Sequence, residues 1–528
     1  MKCMLGLRSA RGAAWRIVAL LLMLLLGACG GLPAVKQMAP TTAIAPDPQS
    51  PLARIVAAST PPGEHSGFRL MPLGVYSLQA RIDLAQRAQH TLDVQYYVIA
   101  NDGAGRLLLR TLKEAAGRGV RVRLLVDDLY TAKTEQLLLA LDGVPNIEVR
   151  LFNPFCCARG SLPGRFAASA FDLERLNHRM HNKLFIADGV MAVAGGRNIA
   201  DEYFTLNTSQ NFVDMDALVV GRVVDQLSGI FDTYWNSEEV YPVSAIVMPS
   251  RDHTALAAEF DVEVDMASRA QHIVLPPSDV LGYGPVGEEL DAGKLGLLWG
   301  RANAVSDPPA KPSLMSPEKA YAASVTSRFW TRLLEAEHEI VLTTPYLVPG
   351  ERGMDAIRQL RERDVAITLV TNSLAANDEP LVHSAYARYR QRLLGEGVDL
   401  YELSPARTRA GRLGVFGNSL GRLHAKTAVV DRQRMFIGSV NLDPRSATQN
   451  TELGIMVDSP ELAREMLRII KISKLENAYR LRLTNDGRIE WLAVDGEKEI
   501  VLHVEPEASW FQRIYENLVG PLIPEDLL

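Results

Sequence analysis

Two stretches of the sequence carry the same reactive residue types at the same spacing. The first runs His181-Asn182-Lys183, then Asp188, then Gly195-Gly196-Arg197-Asn198. The second runs His424-Ala425-Lys426, then Asp431, then Gly438-Ser439-Val440-Asn441, each 243 positions after its counterpart. A His and a Lys two apart on apolar, partly β-branched segments project from one face of a strand. The next turn brings back a small residue and an Asn. Together these groups suit a phosphate: Lys and Asn hold non-bridging oxygens, while His attacks phosphorus or moves a proton. No carboxylate cluster suited to magnesium or calcium accompanies them. The site is therefore expected to need no metal and no cofactor, with Lys supplying the positive charge. One copy alone would read as a core His beside a surface Lys; two copies in register do not. Gly196 stands where Ser439 offers a hydroxyl, so the first copy has one phosphate donor fewer.

The surrounding elements also repeat. Leu92–Ile99 predicts a strand, Gly105–Ala116 a helix with apolar residues at helical spacing, and Val120–Val126 and Ile147–Phe152 further strands. In the second half Glu339–Tyr346, Met354–Glu362, Val365–Val370 and Val398–Leu403 follow the same order. Strands alternating with helices predict a layered α/β unit, present twice. The first lobe is expected over residues 67–244 and the second over 316–480, with an inserted connection at 245–315 containing some strand near Lys294–Trp299. Ser316-Pro317-Glu318 has the form of a helix start. Residues 481–528 read as a separate tail of hairpin and helix. That helix carries an apolar stripe, Trp510, Phe511, Ile514, Tyr515 and Leu518, expected to dock onto the globule rather than to touch a membrane.

The chain has 528 residues, 47% apolar and 22% charged, which excludes wholesale disorder. No run is long enough for a polytopic membrane protein. Residues 1–28 read as a signal peptide: Lys2, Arg8, Arg11 and Arg16, no acid, then the short apolar stretch Ile17–Leu26. Leu26-Gly27-Ala28-Cys29 resembles a bacterial lipobox, with Cys29 the lipidated residue. The Pro- and Ala-rich segment 29–66 is then a flexible tether. The formal charge of −6 becomes −10 without the four basic residues of the signal, so a nucleic-acid partner is not expected. Cys156 and Cys157 are adjacent and are read as two thiols in a loop.

The duplicated pattern resembles the hallmark HxKxxxxD motif of the phospholipase D superfamily. The runs Gly195–Phe204 and Gly438–Ser446 look like the cardiolipin synthase branch, and Leu92–Val98, the lipobox and Trp299-Gly300-Arg301 are most similar to its C-type members. The resemblance covers about 67–528. It implies a phospholipase D fold of two α-β-α sandwich lobes related by a pseudo-twofold axis, with one site at their interface. It implies a catalytic set of His181, His424, Lys183, Lys426, Asp188 and Asp431, in which the two Asp end a strand and fix its turn. One His forms a phosphohistidine and the other moves protons. His181 is read as the nucleophile and His424 as the acid/base, the reverse staying open because the halves are alike. Asn198, Asn441 and Ser439 would bind phosphate oxygens. Asp214 and Glu452 would orient the imidazoles.

Softer candidates are Arg445, for phosphate or a surface ion pair; His383, for the pocket or the layer behind it; and His178, expected to be exposed. The implied activity is phosphatidyl transfer between membrane phospholipids. Phosphatidylglycerol is the substrate and phosphatidylethanolamine an alternative donor, and there is room for an accessory protein. A phospholipase D, an endonuclease and a non-catalytic envelope scaffold are the competing readings. Gly30 after Cys29 points to a periplasm-facing globule on the outer rather than the inner membrane.

Overall fold

A computed structural model describes residues 32–33, 38–63, 65–270, 275–311, 316–410, 419–495 and 498–519. The expected signal peptide and Cys29 lie outside them. Among the described residues no helix is long and apolar enough to cross a membrane.

The first lobe is built on a mixed sheet. The strands Ile147–Phe152, Arg121–Asp127 and Thr91–Tyr96 run parallel, linked by helices such as Gly103–Gly117. Leu184–Ala187, Met191–Gly195, Asp216–Gly221 and Ser66–Met71 continue the sheet antiparallel. The second lobe repeats this order. Asp399–Leu403, Ala366–Asn372 and Glu339–Thr343 are parallel, and Thr427–Val430, Arg434–Gly438, Leu453–Asp458 and Leu298–Ser306 follow antiparallel. The parallel strands are buried, as their near-continuous Val, Leu and Ile runs require.

The strands Ser66–Met71 and Leu298–Ser306 occupy equivalent positions in the two lobes and pair with each other, Ser66 opposite Gly300. The two sheets are therefore one continuous surface. A core of side chains from both halves fills the space behind it, including Phe68, Leu70, Val219 and Phe231 from the first and Leu423, Ile455, Leu462 and Met466 from the second. Burial of so much shared apolar area makes the interface part of the core and not a hinge.

Two expected boundaries are corrected. Leu298–Ser306 is the opening strand of the second lobe's sheet, so that lobe begins before residue 316; the weak apolar alternation of Leu298–Ser306 hid it. The rest of the connection holds the 18-residue helix His253–Ala270, packed on Gly103–Gly117 and Glu135–Asp142. The tail is not separate either: Ala478–Leu483, Ile489–Asp495 and Lys498–Leu502 extend the second sheet beyond Asp399–Leu403.

The flexible tether is corrected as well. Residues near Thr41 are held on the first lobe: the Trp235 indole N–H donates to Thr41 Oγ1 at 2.8 Å, and Ala43 N donates to Asp232 Oδ2 at 2.8 Å. Pro51–Ser59 is a helix, started by Ser50 and burying Leu52 and Ile55. The pairing of Cys156 and Cys157 also departs from expectation. The two side chains form a disulfide between adjacent residues.

Candidate active site

The polypeptide before each motif histidine crosses to the other lobe. Leu420–Leu423 pairs in parallel with Gln210–Val213, and His424 N donates to Val213 O at 2.8 Å. Met180 bridges to Thr451, and His181 N donates to Thr451 O at 2.8 Å. The residue after each of these carbonyls is an acid: Asp214 after Val213, Glu452 after Thr451. Each acid therefore meets the imidazole of the opposite lobe. His424 Nδ1 lies 2.6 Å from Asp214 Oδ2, and His181 Nδ1 lies 2.9 Å from Glu452 Oε2. An Nδ1–H donated to a carboxylate fixes the tautomer and leaves Nε2 free for chemistry.

Both lysines lie beside the histidines. Lys183 Nζ donates to His181 O at 2.7 Å and Lys426 Nζ to His424 O at 2.6 Å. Each ammonium keeps further N–H groups for a phosphate. All four side chains are buried.

The electrostatics follow from burial. Burial, then the Lys183 and Lys426 charges, holds the His181 imidazole well below its usual range. Burial and Lys426 lower His424 to about 4. Lys183 is pushed well below its ordinary value by burial first, and Lys426 is lowered to about 8 for the same reason. The acids differ. Burial alone would raise Asp214, but His424, Lys426 and Arg197 hold it at about 2. Burial raises Glu452 to about 7 against the pull of Lys183, Ser439 and Ser446.

Asp188 and Asp431, counted with the catalytic set for their place in the motif, have the structural role expected of them and do not touch the imidazoles. Asp188 accepts from the backbone N–H groups of Gln89, His90 and Thr91, at 2.8 Å for His90. Asp431 does the same for Glu337, His338 and Glu339, again at 2.8 Å for His338. Both sit at positive φ, 50° and 51°, where the Asp side chain is tolerated. Each pins the hairpin after its motif to the first parallel strand of its lobe.

Ser439 is also corrected. Its O–H donates to Glu452 Oε2 and its oxygen accepts from Leu453 N at 3.0 Å, so it positions the acid and is not set to donate to phosphate. Gly196 has a matching reason: a Cβ there would overlap Asp214 Oδ1. The shorter acid needs the backbone closer, and only glycine allows it. The asparagines differ too. Asn198 Nδ2 donates to Tyr203 Oη at 3.0 Å, and its Oδ1 accepts from Val98 N at 3.3 Å. Asn441 Oδ1 is buried and meets no partner among the described residues.

The softer candidates resolve as follows. Arg445 reaches across the lobes to Asn177, Nη1 to Oδ1 at 2.8 Å. His178 is half-buried, not exposed, and burial lowers it to about 4. His383 is fully buried between Glu516, at 2.8 Å, and Arg390, at 3.0 Å, and makes no contact with either motif histidine. The stripe Trp510, Phe511, Ile514, Tyr515 and Leu518 does not dock onto the globule: these side chains are 41–67% exposed.

Sequence reasoning missed the aromatic walls and the buried pairs behind the acids. Tyr97 meets His181 edge-on at 5.1 Å, and Tyr203 and Phe212 flank His424 at 5.1 and 5.0 Å. Arg197 donates to Asp214 O and to Met71 O, at 3.0 Å to the latter. In the other half, Lys311 Nζ pairs with Asp307 Oδ2 at 2.8 Å, and that oxygen accepts from Glu452 N at 2.9 Å. Tyr97, next to a strand end, was the only visible signal; the others need the fold.

Comparison with known proteins agrees with this geometry. The cardiolipin synthase, PLD-like domain family matches residues 81–235 and 330–472. The chain belongs to this family. It is 39% identical over 464 residues to cardiolipin synthase C of Escherichia coli, covering 85% of this chain and 93% of that protein. It is 24% identical over 382 residues to cardiolipin synthase 1 of Staphylococcus aureus, covering 72% and 62%. The crystal structure of phosphatidylserine synthase from Haemophilus influenzae shares the fold, with a TM-score of 0.55 at 13% identity over 87% of this chain and 95% of that one. The family member is thus an enzyme of the phospholipase D superfamily with the expected two-lobed α/β fold.

Proposed function

We propose that the protein joins two phosphatidyl groups through glycerol, making cardiolipin from membrane phospholipids, with phosphatidylglycerol as acceptor and either phosphatidylglycerol or phosphatidylethanolamine as donor. The observation that carries this reading is the exchange of acids between lobes. Two histidines, each with its Nδ1 against an acid, and two lysines in one buried site suit a two-step displacement at phosphorus.

His181 is the nucleophile. It is held neutral by burial and by two ammonium groups, and with Nδ1 engaged by Glu452 its Nε2 lone pair is left for the substrate. Its nitrogen attacks phosphorus, and the bond from phosphorus to the departing headgroup oxygen breaks. His424 gives that alkoxide its proton. Asp214, ionised throughout, is the stronger partner for an imidazolium, and the negative charge of the bound phosphodiester raises His424 toward the protonated form. The incoming primary hydroxyl then attacks phosphorus while His424 takes its proton, and the P–N bond breaks. Lys183, Lys426 and Asn441 hold the non-bridging oxygens as charge develops. Water in place of the alcohol would give phosphatidic acid.

A lipidated Cys29 and an outer-membrane, periplasm-facing position fit this substrate, because an anchor keeps the enzyme beside it. The test is turnover by the full-length protein in detergent without divalent metal, with phosphatidylglycerol alone and with phosphatidylethanolamine added. Cardiolipin formed only with intact histidines supports the transferase, and dependence on the second lipid names the donor. Phosphatidic acid alone replaces it with a hydrolase. Cardiolipin made only after a co-expressed protein is added assigns a partner.

A further inference from the structure

The helix Trp510–Val519 is amphipathic in the inverted sense. Its acid Glu516 turns inward, its carboxylate 2.8 Å from His383 Nδ1, and Arg513 folds back to donate to Ala508 O at 2.9 Å. Its large apolar side chains, Trp510, Phe511, Ile514, Tyr515 and Leu518, face outward. A helix that only capped the globule would be the other way round.

The position of this helix adds to its composition. It packs on the helix Pro380–Ala387, which carries His383 and the exposed Leu381. The charge of Glu379, the residue before that helix, adds to burial in raising the pKa of the Tyr130 phenol. The Tyr130 ring meets Tyr97 at 5.5 Å, and Tyr97 meets His181 at 5.1 Å. The element under the stripe is therefore within electrostatic reach of the tyrosines beside His181.

We infer that the outward face of Trp510–Val519 docks on a phospholipid bilayer and presents the active site to its headgroup layer, an inference that rests on a membrane phospholipid being the substrate. Trp, Tyr and Phe are the side chains that settle at a bilayer interface, and helices of this kind lie in its plane. A second copy of the chain is the weaker occupant. At about 150–250 Å² for a whole aromatic side chain, the partly exposed stripe offers on the order of 500 Å², short of the roughly 800 Å² per partner of a standard protein interface. Docking here places the scissile phosphate near the site entrance without pulling the acyl chains far from the bilayer.

The test uses the full-length protein and vesicles of phosphatidylglycerol and phosphatidylethanolamine with brominated acyl chains. Tryptophan emission is expected to be quenched on these vesicles, with much of the quenching lost in Trp510→Phe, which stays apolar. In Phe511→Glu/Leu518→Glu, turnover of vesicle lipid should fall about tenfold or more while turnover of the same lipid in detergent micelles stays within about twofold. Equal quenching in wild type and Trp510→Phe, an equal loss in vesicles and micelles, or a dimer in solution abolished by Phe511→Glu/Leu518→Glu would each overturn the docking. If the wild type turns over no phospholipid in either form, the proposed activity fails, and the quenching still decides the docking.

Discussion

The two halves of the active site share a backbone plan and differ in how they hold their acid. Around His181 the acid is Glu452, long, raised to about 7 by burial, and gripped by the hydroxyls of Ser439 and Ser446. Around His424 the acid is Asp214, short, held at about 2, and approached so closely by the backbone that position 196 has room only for glycine. Acid length and the size of the residue behind it compensate each other. The Gly/Ser difference between the motifs is therefore not decay of one copy. It accompanies two different partner sets, which the proposed mechanism assigns to a neutral nucleophile and to a proton carrier.

Removing either imidazole should have the largest effect. His181→Ala and His424→Ala are each expected to lower transferase turnover by about 10⁴-fold or more, measured by product lipid. An equal effect of both is expected, since each step needs both groups. The acids come next, and they should separate. Asp214→Asn is expected to cost on the order of 10²–10³-fold in kcat, because it removes a full charge from beside the imidazolium. Glu452→Gln should cost clearly less, about tenfold, because its carboxyl is already half neutral near pH 7. Equal losses would erase the distinction drawn between the two sets.

The glycine and the serine give a finer comparison. Gly196→Ser should displace Asp214 and lower turnover by about 10²-fold, whereas Ser439→Ala, which removes one hydroxyl partner of Glu452, should cost only about 3- to 10-fold. The pH profile gives the smallest effect. Glu452 loses its proton as pH rises through about 7, and Lys426 loses its charge as pH rises through about 8. Activity should therefore rise across the first value and fall across the second. Glu452→Gln should abolish the rising limb and keep the falling one.

Much of this was legible in the sequence because it rests on local patterning. His-x-Lys on a strand, Asp ending that strand, and the repeated alternation of strand and helix need no tertiary information. What was not legible depends on contacts between distant segments. Leu298–Ser306 reads as connection because its apolar alternation is weak and it is only partly buried, yet it zips the two sheets together. The role of Ser439 changes once Glu452 is beside it. Asp214 and Glu452 were visible as candidates, but their exchange between lobes follows from the cross-lobe pairing of 210–213 with 420–423 and of Met180 with Thr451. The outward stripe on Trp510–Val519 has the same periodicity as a docked one; only the placement of Glu516 against His383 sets its direction.

The most direct test of the central claim is to trap the covalent intermediate. A phosphatidyl ester of p-nitrophenol leaves without a proton, so it bypasses the need for a general acid. His424→Ala, mixed with this ester, should release about one equivalent of nitrophenol in a burst and carry a phosphatidyl group on His181, read by peptide mass spectrometry. His181→Ala should give neither burst nor adduct. An adduct on His424 in the His181→Ala protein, with none on His181, would reverse the assignment, and no adduct in either variant would contradict the two-step mechanism itself.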